Sequence, residues 1–430
     1  MPRTRSKAAS TTDTIAKKFH FLRRRIFVMK TRVTNQIIIS LYKHMGKLIP
    51  SNRSIAIGII LAIMPATAQQ QNARTPFKNK NNIILGQSLP LSGPSAQIGQ
   101  KYRAGANAWF DEVNRKGGIK GRKIELISLD DQYEPDLTVT NTKALLAKPN
   151  LLALFGYVGT PTTKEILPLI EKKKVPLIAP LTGASLLRKN DLEMVVNLRA
   201  SYRMEIDKIV NSLIRSARQK IAVIYQDDAF GKDGLRSAEA ALKKHDLKPV
   251  AIATVQRNSA KINPALRVLE KAQPNAVIII STYVSSAALS KALLQKNIKA
   301  RIMNVSFAGT RALENSLPVG QANGIGVSQV VPFPWDRWIP VVADYQRLMR
   351  VNNSSARFGF TSLEGFMAAR LITEGIKNAQ GPLTREALIT SIRSIKKVDL
   401  GGFQLDLSRN NKQASDYVEL TFFGAQQWEP

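Results

Sequence analysis

Two short segments gather the groups that could hold an anion. Gly156-Tyr-Val-Gly-Thr-Pro-Thr-Thr163 and Pro180-Leu-Thr-Gly-Ala-Ser185 both combine threonine hydroxyls with glycine, each between an apolar run and a helix-forming stretch. At a strand-to-helix junction such a segment offers backbone N–H groups with no intrahelical acceptor, a positive dipole end and side-chain hydroxyls. A carboxylate or another small anion suits that chemistry, at roughly 0.3–1 kcal/mol for each favourable charge–dipole contact. For one loop alone, the simpler account is that Thr160, Thr162 and Thr182 cap helices. Two neighbouring loops of the same kind favour the ligand.

Other chemistries have little to work with. The chain has no Cys, which removes disulfides, thiolate metal sites and a cysteine nucleophile. Its three His are His20, His44 and His245. Only His245 lies in the body, within a charged connection, so neither His catalysis nor a multi-His metal site is expected there. The sequence has no nucleophile elbow, G-x-x-x-x-G-K-[ST] or G-x-G-x-x-G loop. Asp130-Asp131 and Asp227-Asp228 could each supply half of an acid/base pair, but strand-end Asp more often forms turns or caps helices. Trp335 and Trp338 either line a cleft or pack in the core. The expectation is a binding protein without cofactor or metal, not an enzyme.

The elements that must position these loops follow from hydrophobic pattern. At 430 residues, 44% hydrophobic and 22% charged, the chain is globular and long enough for two domains. From Asn82 on, strands alternate with helices. Strands are predicted at 83–89, 122–129, 151–156 and 175–179, with helices at 99–116, 137–147 and 162–172 between them. A second series places strands at 220–225, 249–255, 276–281, 302–305 and 324–330, with helices at 231–244, 263–272 and 285–295. Late helices (339–350, 361–378, 385–394) and late strands (402–407, 417–423) close the chain. Strands spaced by helices imply right-handed crossovers and parallel sheets. The fold class is therefore α/β, with two lobes.

The formal net charge of +32 is uneven. Residues 1–68 carry 13 Lys/Arg and one acid, and the remaining surplus suits either acidic partners or a basic solvated surface. The uncharged run Ile55–Met64, preceded by Lys47 and Arg53 and followed by Ala66-Thr67-Ala68, has the three parts of an export signal. Cleavage after Ala68 is expected, and a start at Met45 would give a conventional length. A basic DNA-binding head over residues 1–50 is the competing reading.

Ser88-Leu-Pro-Leu-Ser-Gly-Pro-Ser-Ala-Gln-Ile-Gly99, Asn114-Arg-Lys-Gly-Gly-Ile-Lys-Gly-Arg122 and Ala229-Phe-Gly-Lys-Asp-Gly234 carry a resemblance. With the two threonine–glycine loops, in this order and spacing, they resemble the branched-chain-amino-acid type of periplasmic solute-binding protein from ABC transporters. The similarity runs from about Ile83 to the end. It implies the type I periplasmic-binding fold: two Rossmann-like lobes with parallel central sheets, joined by three crossover strands near 198–202, 329–334 and 401–403. The implied lobes are 82–200 with 331–401, and 201–330 with 402–430. The resemblance carries the ligand's carboxylate to Thr160, Leu181, Thr182, Gly183 and Ala184. Ile98 is carried to the ligand side chain, and Phe230 and Tyr283 to aromatic covers on the second lobe. Amino-acid-binding members have a Glu where Ser306 stands, and a hydroxyl cannot neutralise a desolvated ammonium. A carboxylate without an amine is thus a serious ligand. The implied partners are that small molecule and an inner-membrane ABC permease, with no nucleic acid. The protein is expected to be a periplasmic monomer; a sensory module or transcriptional regulator with the same core is the alternative.

Overall fold

The computed structural model describes residues 82–408 and 413–424. The basic extension, the apolar run and the expected cleavage after Ala68 lie outside the described residues. Residues 79–430 form one compact unit.

The first strands are β1 (Ile83–Leu89), β2 (Ile124–Asp130), β3 (Leu151–Phe155), β4 (Leu177–Ile178) and β5 (Val195–Val196). They form a parallel sheet in the order β2-β1-β3-β4-β5. Helices α1 (Ala96–Arg115), α2 (Pro135–Leu146) and α3 (Thr160–Lys173) make the crossovers between its first four strands. A parallel register requires such a return for each strand, and the alternation in the sequence supplies it.

The chain then enters α4 (Tyr202–Arg215), started by Ser201, whose hydroxyl accepts from Met204 N–H at 3.4 Å. This helix has no counterpart among the elements expected from the sequence. The second sheet contains β6 (Ile221–Gln226), β7 (Ala251–Val255), β8 (Ala276–Ile280), β9 (Arg301–Asn304) and β10 (Gly326–Gln329). Late strand β13 (Glu419–Phe422) pairs antiparallel with β10, giving the order β13-β10-β9-β8-β6-β7. Between them run α5 (Ala229–Lys243), α6 (Asn263–Ala272), α7 (Tyr283–Gln295) and the short α8 (Thr310–Asn315). Strand β8 reads Ala-Val-Ile-Ile-Ile and is wholly buried, as a central parallel strand covered on both faces must be.

After β10 the chain returns to the first lobe. Helices α9 (Pro340–Asn352) and α10 (Phe360–Asn378) pack on α1, and α11 (Arg385–Ser394) packs on α10. The α1–α10 crossing is unusually close because Gly105 and Gly365 lie in it. A Cβ on Gly105 would strike the Ser362 carbonyl, and one on Gly365 the Tyr102 carbonyl. At 401–403, where a crossing was expected, the structure has a hairpin turn instead. Gly401 and Gly402 take φ of 94° and 76° and reverse the chain between β11 (Lys397–Asp399) and β12 (Gln404–Asp406). The third pass lies further on, where Gln413 bridges to Asn197 before β13.

Candidate functional site

The two threonine loops meet. Gly159, at φ 100°, turns the chain from β3 into α3. Val158 then bridges to Leu181, and the Thr160 and Thr182 hydroxyls lie 2.7 Å apart, both buried. Among the described residues, the backbone N–H groups of Thr160 and Thr162, in the first turn of α3, have no backbone acceptor, whereas the Gly183 amide is held by the Tyr202 hydroxyl. The Ala184 amide is taken, since it donates to Thr182 Oγ1 at 3.2 Å. Buried amides with nothing to donate to are rare. Here two of them share the first turn of α3, beside the paired hydroxyls of Thr160 and Thr182.

Across the gap stands an aromatic wall. Asp228 caps α5 by accepting from the Phe230 and Gly231 amides at 3.0 and 3.4 Å, which places Phe230 in the first turn. The Phe230 ring lies 5.0 Å from both Tyr202 and Phe307, and Phe307 lies 5.7 Å from Tyr133 of the first lobe. Tyr283, at the start of α7, donates its hydroxyl to the Pro94 carbonyl of the first lobe. Ile98, Leu181, Ser306 and Phe360 line a cavity of about 10 Å³, on the order of one water molecule. The lobes are shut.

Further contacts cross the same gap. Ser185 N–H donates to Asp233 at 3.0 Å. Arg257 reaches Glu134 at 2.7 Å, while Asn258 donates to Glu134 at 2.8 Å and to the Gln132 carbonyl at 2.9 Å. Ser95 donates to Asn258 at 2.7 Å.

The charged centre of the site was not anticipated. Arg199, on the first pass between lobes, is 1% exposed and also lines the cavity. Its Nη2 contacts Glu205 of α4 at 3.2 Å and donates to the Ser306 hydroxyl. Glu205 also accepts from Ser306 N–H at 2.8 Å and from the Ser328 hydroxyl at 2.6 Å. Glu364 of α10 lies 3.6 Å from Arg199 Nε, which makes no hydrogen bond. Burial pushes Glu364 up to about 7; Arg199 opposes the rise and Glu205 adds to it. The absence of a Glu at the 303–309 stretch therefore does not leave the cleft without an acid. Two carboxylates arrive from other segments, one of them committed to Ser306, Ser328 and Arg199. A lone Arg in the apolar run Asn197-Leu-Arg-Ala200 was the one available sequence signal.

The remaining sequence candidates separate cleanly. Asp131 accepts from Ser88, Thr138 and the Tyr133 amide, and burial raises it to about 6. Asp130 holds the Leu91, Ser92 and Gln132 amides. Both are loop-organising residues. His245 is half-buried and meets Asn211 at 2.8 Å. Trp335 packs against Phe333 and Phe360, whereas Trp338 is 86% exposed. Among the described residues no group of three or more His, Asp or Glu is placed to hold a metal ion. What the structure assembles is a set of hydrogen-bond donors and a buried guanidinium where the two sheets meet.

Known proteins share this architecture. The family model described as periplasmic binding protein matches residues 82–422. The solved structure of a possible leucine/isoleucine/valine-binding protein from Rhodopirellula baltica SH 1 is 33% identical with a TM-score of 0.78, over 82% of this chain and 96% of that one. A substrate-binding periplasmic protein from Ralstonia solanacearum gives 30% and 0.76, over 80% and 98%. The Leu/Ile/Val-binding protein homolog 7 of Brucella abortus (strain 2308) is 24% identical over 78% of this chain and 88% of its own length. These relatives bind solutes and are not enzymes. The alternating strands, the two sheets and the near-complete match lead to one conclusion: the chain belongs to the periplasmic binding protein family, with the type I proteins of the leucine/isoleucine/valine-binding kind.

Proposed function

We propose that this protein is the exported component of an ABC uptake system, capturing a small carboxylate-bearing solute by closing two lobes over it. The observation that carries the reading is the 2.7 Å approach of Thr160 to Thr182 beside the free amides of the first turn of α3. A carboxylate accepts from amides and hydroxyls at once, and such charge-assisted bonds are stronger than neutral ones. Phe230 and Tyr283 would cover the solute from the second lobe. The ligand shifts the equilibrium to the closed form only through contacts made with both lobes. The closed form then docks on a membrane permease.

The solute is an amino acid or an amine-free organic acid. Glu364, raised to about 7, is mostly protonated below that pH, and Glu205 is matched by Arg199. No charge is then left over for an ammonium, which supports the amine-free acid. Native mass spectrometry of the purified protein tests the function by giving the mass of any co-purified solute. A carboxylic acid released on denaturation is the expected result. A bound nucleotide or nucleic acid, or a solute without an acid group, would sink the reading.

A further inference from the structure

A second cavity, of about 20 Å³, opens off the first and shares Ile98, Phe360 and Thr361 with it. Three cations line it: Lys101 of α1, Arg311 of α8 and Arg357, just ahead of α10. No acidic residue lines it. Arg311 reaches Glu314 at 3.2 Å and lies 5.3 Å from the Trp335 ring centroid, yet its Nε is buried without an acceptor. Neither Lys101 nor Arg357 pairs with a carboxylate among the described residues. Burial, then Arg357 and Arg311, hold the Lys101 ammonium below its usual range. The backbone N–H groups of Thr361 and Ser362 have no backbone acceptor, as at any helix start.

Lys101 and Arg357 come from the first lobe and Arg311 from the second, so closing the cleft drives like charges together. Glu314 offsets Arg311, but Lys101 and Arg357 have no carboxylate partner among the described residues, and the charge that would balance them is an anion. Continuity with the cavity beside the threonine turns says where that anion belongs. We propose that Lys101, Arg311 and Arg357 form a second anion subsite, which takes a further acidic group of the same solute, so that the preferred solute is a dianion of the dicarboxylate class. This rests on the reading that the threonine turns hold the first acid group.

Calorimetry on the purified protein at low salt tests the subsite. The probes are succinate, glutarate, adipate and phthalate, against butanoate, pentanoate, hexanoate and benzoate, with inorganic phosphate as a separate arm. At least one diacid should bind about tenfold or more tighter than its monoacid counterpart, about 1.4 kcal/mol. The Lys101→Gln/Arg357→Gln double variant should lose that preference while keeping its monoacid affinity. Arg357 is exposed, so Arg357→Gln alone, with a smaller loss, covers the case in which the double variant fails to fold. Equal binding of both series would overturn the subsite and leave the solute-binding reading standing. Binding of no acid would overturn both. Phosphate bound by the native protein but not by the variant, with no advantage for diacids, would mean a free-anion site and overturn the assignment to the solute.

Discussion

Glu364 on α10 faces Arg199 on the first pass between lobes at 3.6 Å, and the guanidinium Nε between them donates to nothing. Glu205, Arg188 and Tyr102 complete the charged and titratable surroundings. The pair joins α10 of the first lobe to the crossing that reaches Ser306 of the second lobe.

Raising the pH should open the ligand-free protein. Glu364 holds its proton more tightly when buried, so the closed form has its full stability below about pH 4.5 and loses it as the pH rises to about 7. The slope is on the order of 1.4 kcal/mol for each pH unit traversed. Solution scattering between pH 5 and pH 8 should show the radius increasing, and Glu364→Gln should remove that dependence. A radius independent of pH in the native protein would show that the carboxyl is not coupled to closure.

Arg257→Ala should loosen the lip of the cleft with little effect on overall stability. Arg257 is 25% and Glu134 41% exposed at the side chain, so the pair contributes about 0–1 kcal/mol and is screened by salt. The expected result is a larger radius without ligand, a weaker affinity and a nearly unchanged melting temperature. High salt should narrow the gap between native and variant.

Thr160→Val and Tyr283→Phe should act at different stages. Valine keeps the shape but removes one partner of Thr182, which keeps its bond from the Ala184 amide, at a cost of about 0.5–1.5 kcal/mol for the lost hydrogen bond. Initial solute binding should weaken by about tenfold or more. Loss of the Tyr283 hydroxyl removes its bond to Pro94, so that variant should bind solute yet populate the closed form less. Titrations followed by calorimetry and scattering together would separate the two, and identical behaviour would contradict the division.

Gly365→Ala should destabilise the first lobe. The added methyl meets the Tyr102 carbonyl, and forcing α1 and α10 apart costs about 1–3 kcal/mol. Urea unfolding should record the loss. The affinity should fall as well, because α1 carries Ile98 and α10 carries Glu364.

Much of the fold was legible because its signals are local. Alternation of apolar runs with helical stretches located nearly every strand, and the helices at Asn263–Ala272 and Arg385–Ser394 match to the residue. The two-residue strands β4 and β5 differ: β5 is too short for any periodicity, and α4 begins where the chain leaves one lobe, without a loop signal of its own. The threonine turns were legible because glycine and threonine before a helix have a local meaning. The hairpin at Gly401-Gly402 stands where the resemblance implied a crossing, since likeness to a family carries over the number of crossings but not the residues at which each falls.

Taken alone, the sequence determined the α/β class, the absence of thiol and multi-histidine chemistry in the body, and the two turns able to hold an acid. Each depends on residues close together in the chain. The tertiary structure alone decided that Arg199, Glu205, Ser306 and Glu364 share one buried site, and that Lys101, Arg311 and Arg357 converge beside it. Those residues are up to 165 and 256 positions apart in the chain, and no pattern of neighbours encodes which distant charges two packed lobes bring together. Desolvation then sets their behaviour: burial raises the Glu364 carboxyl while Arg199 beside it pulls the other way.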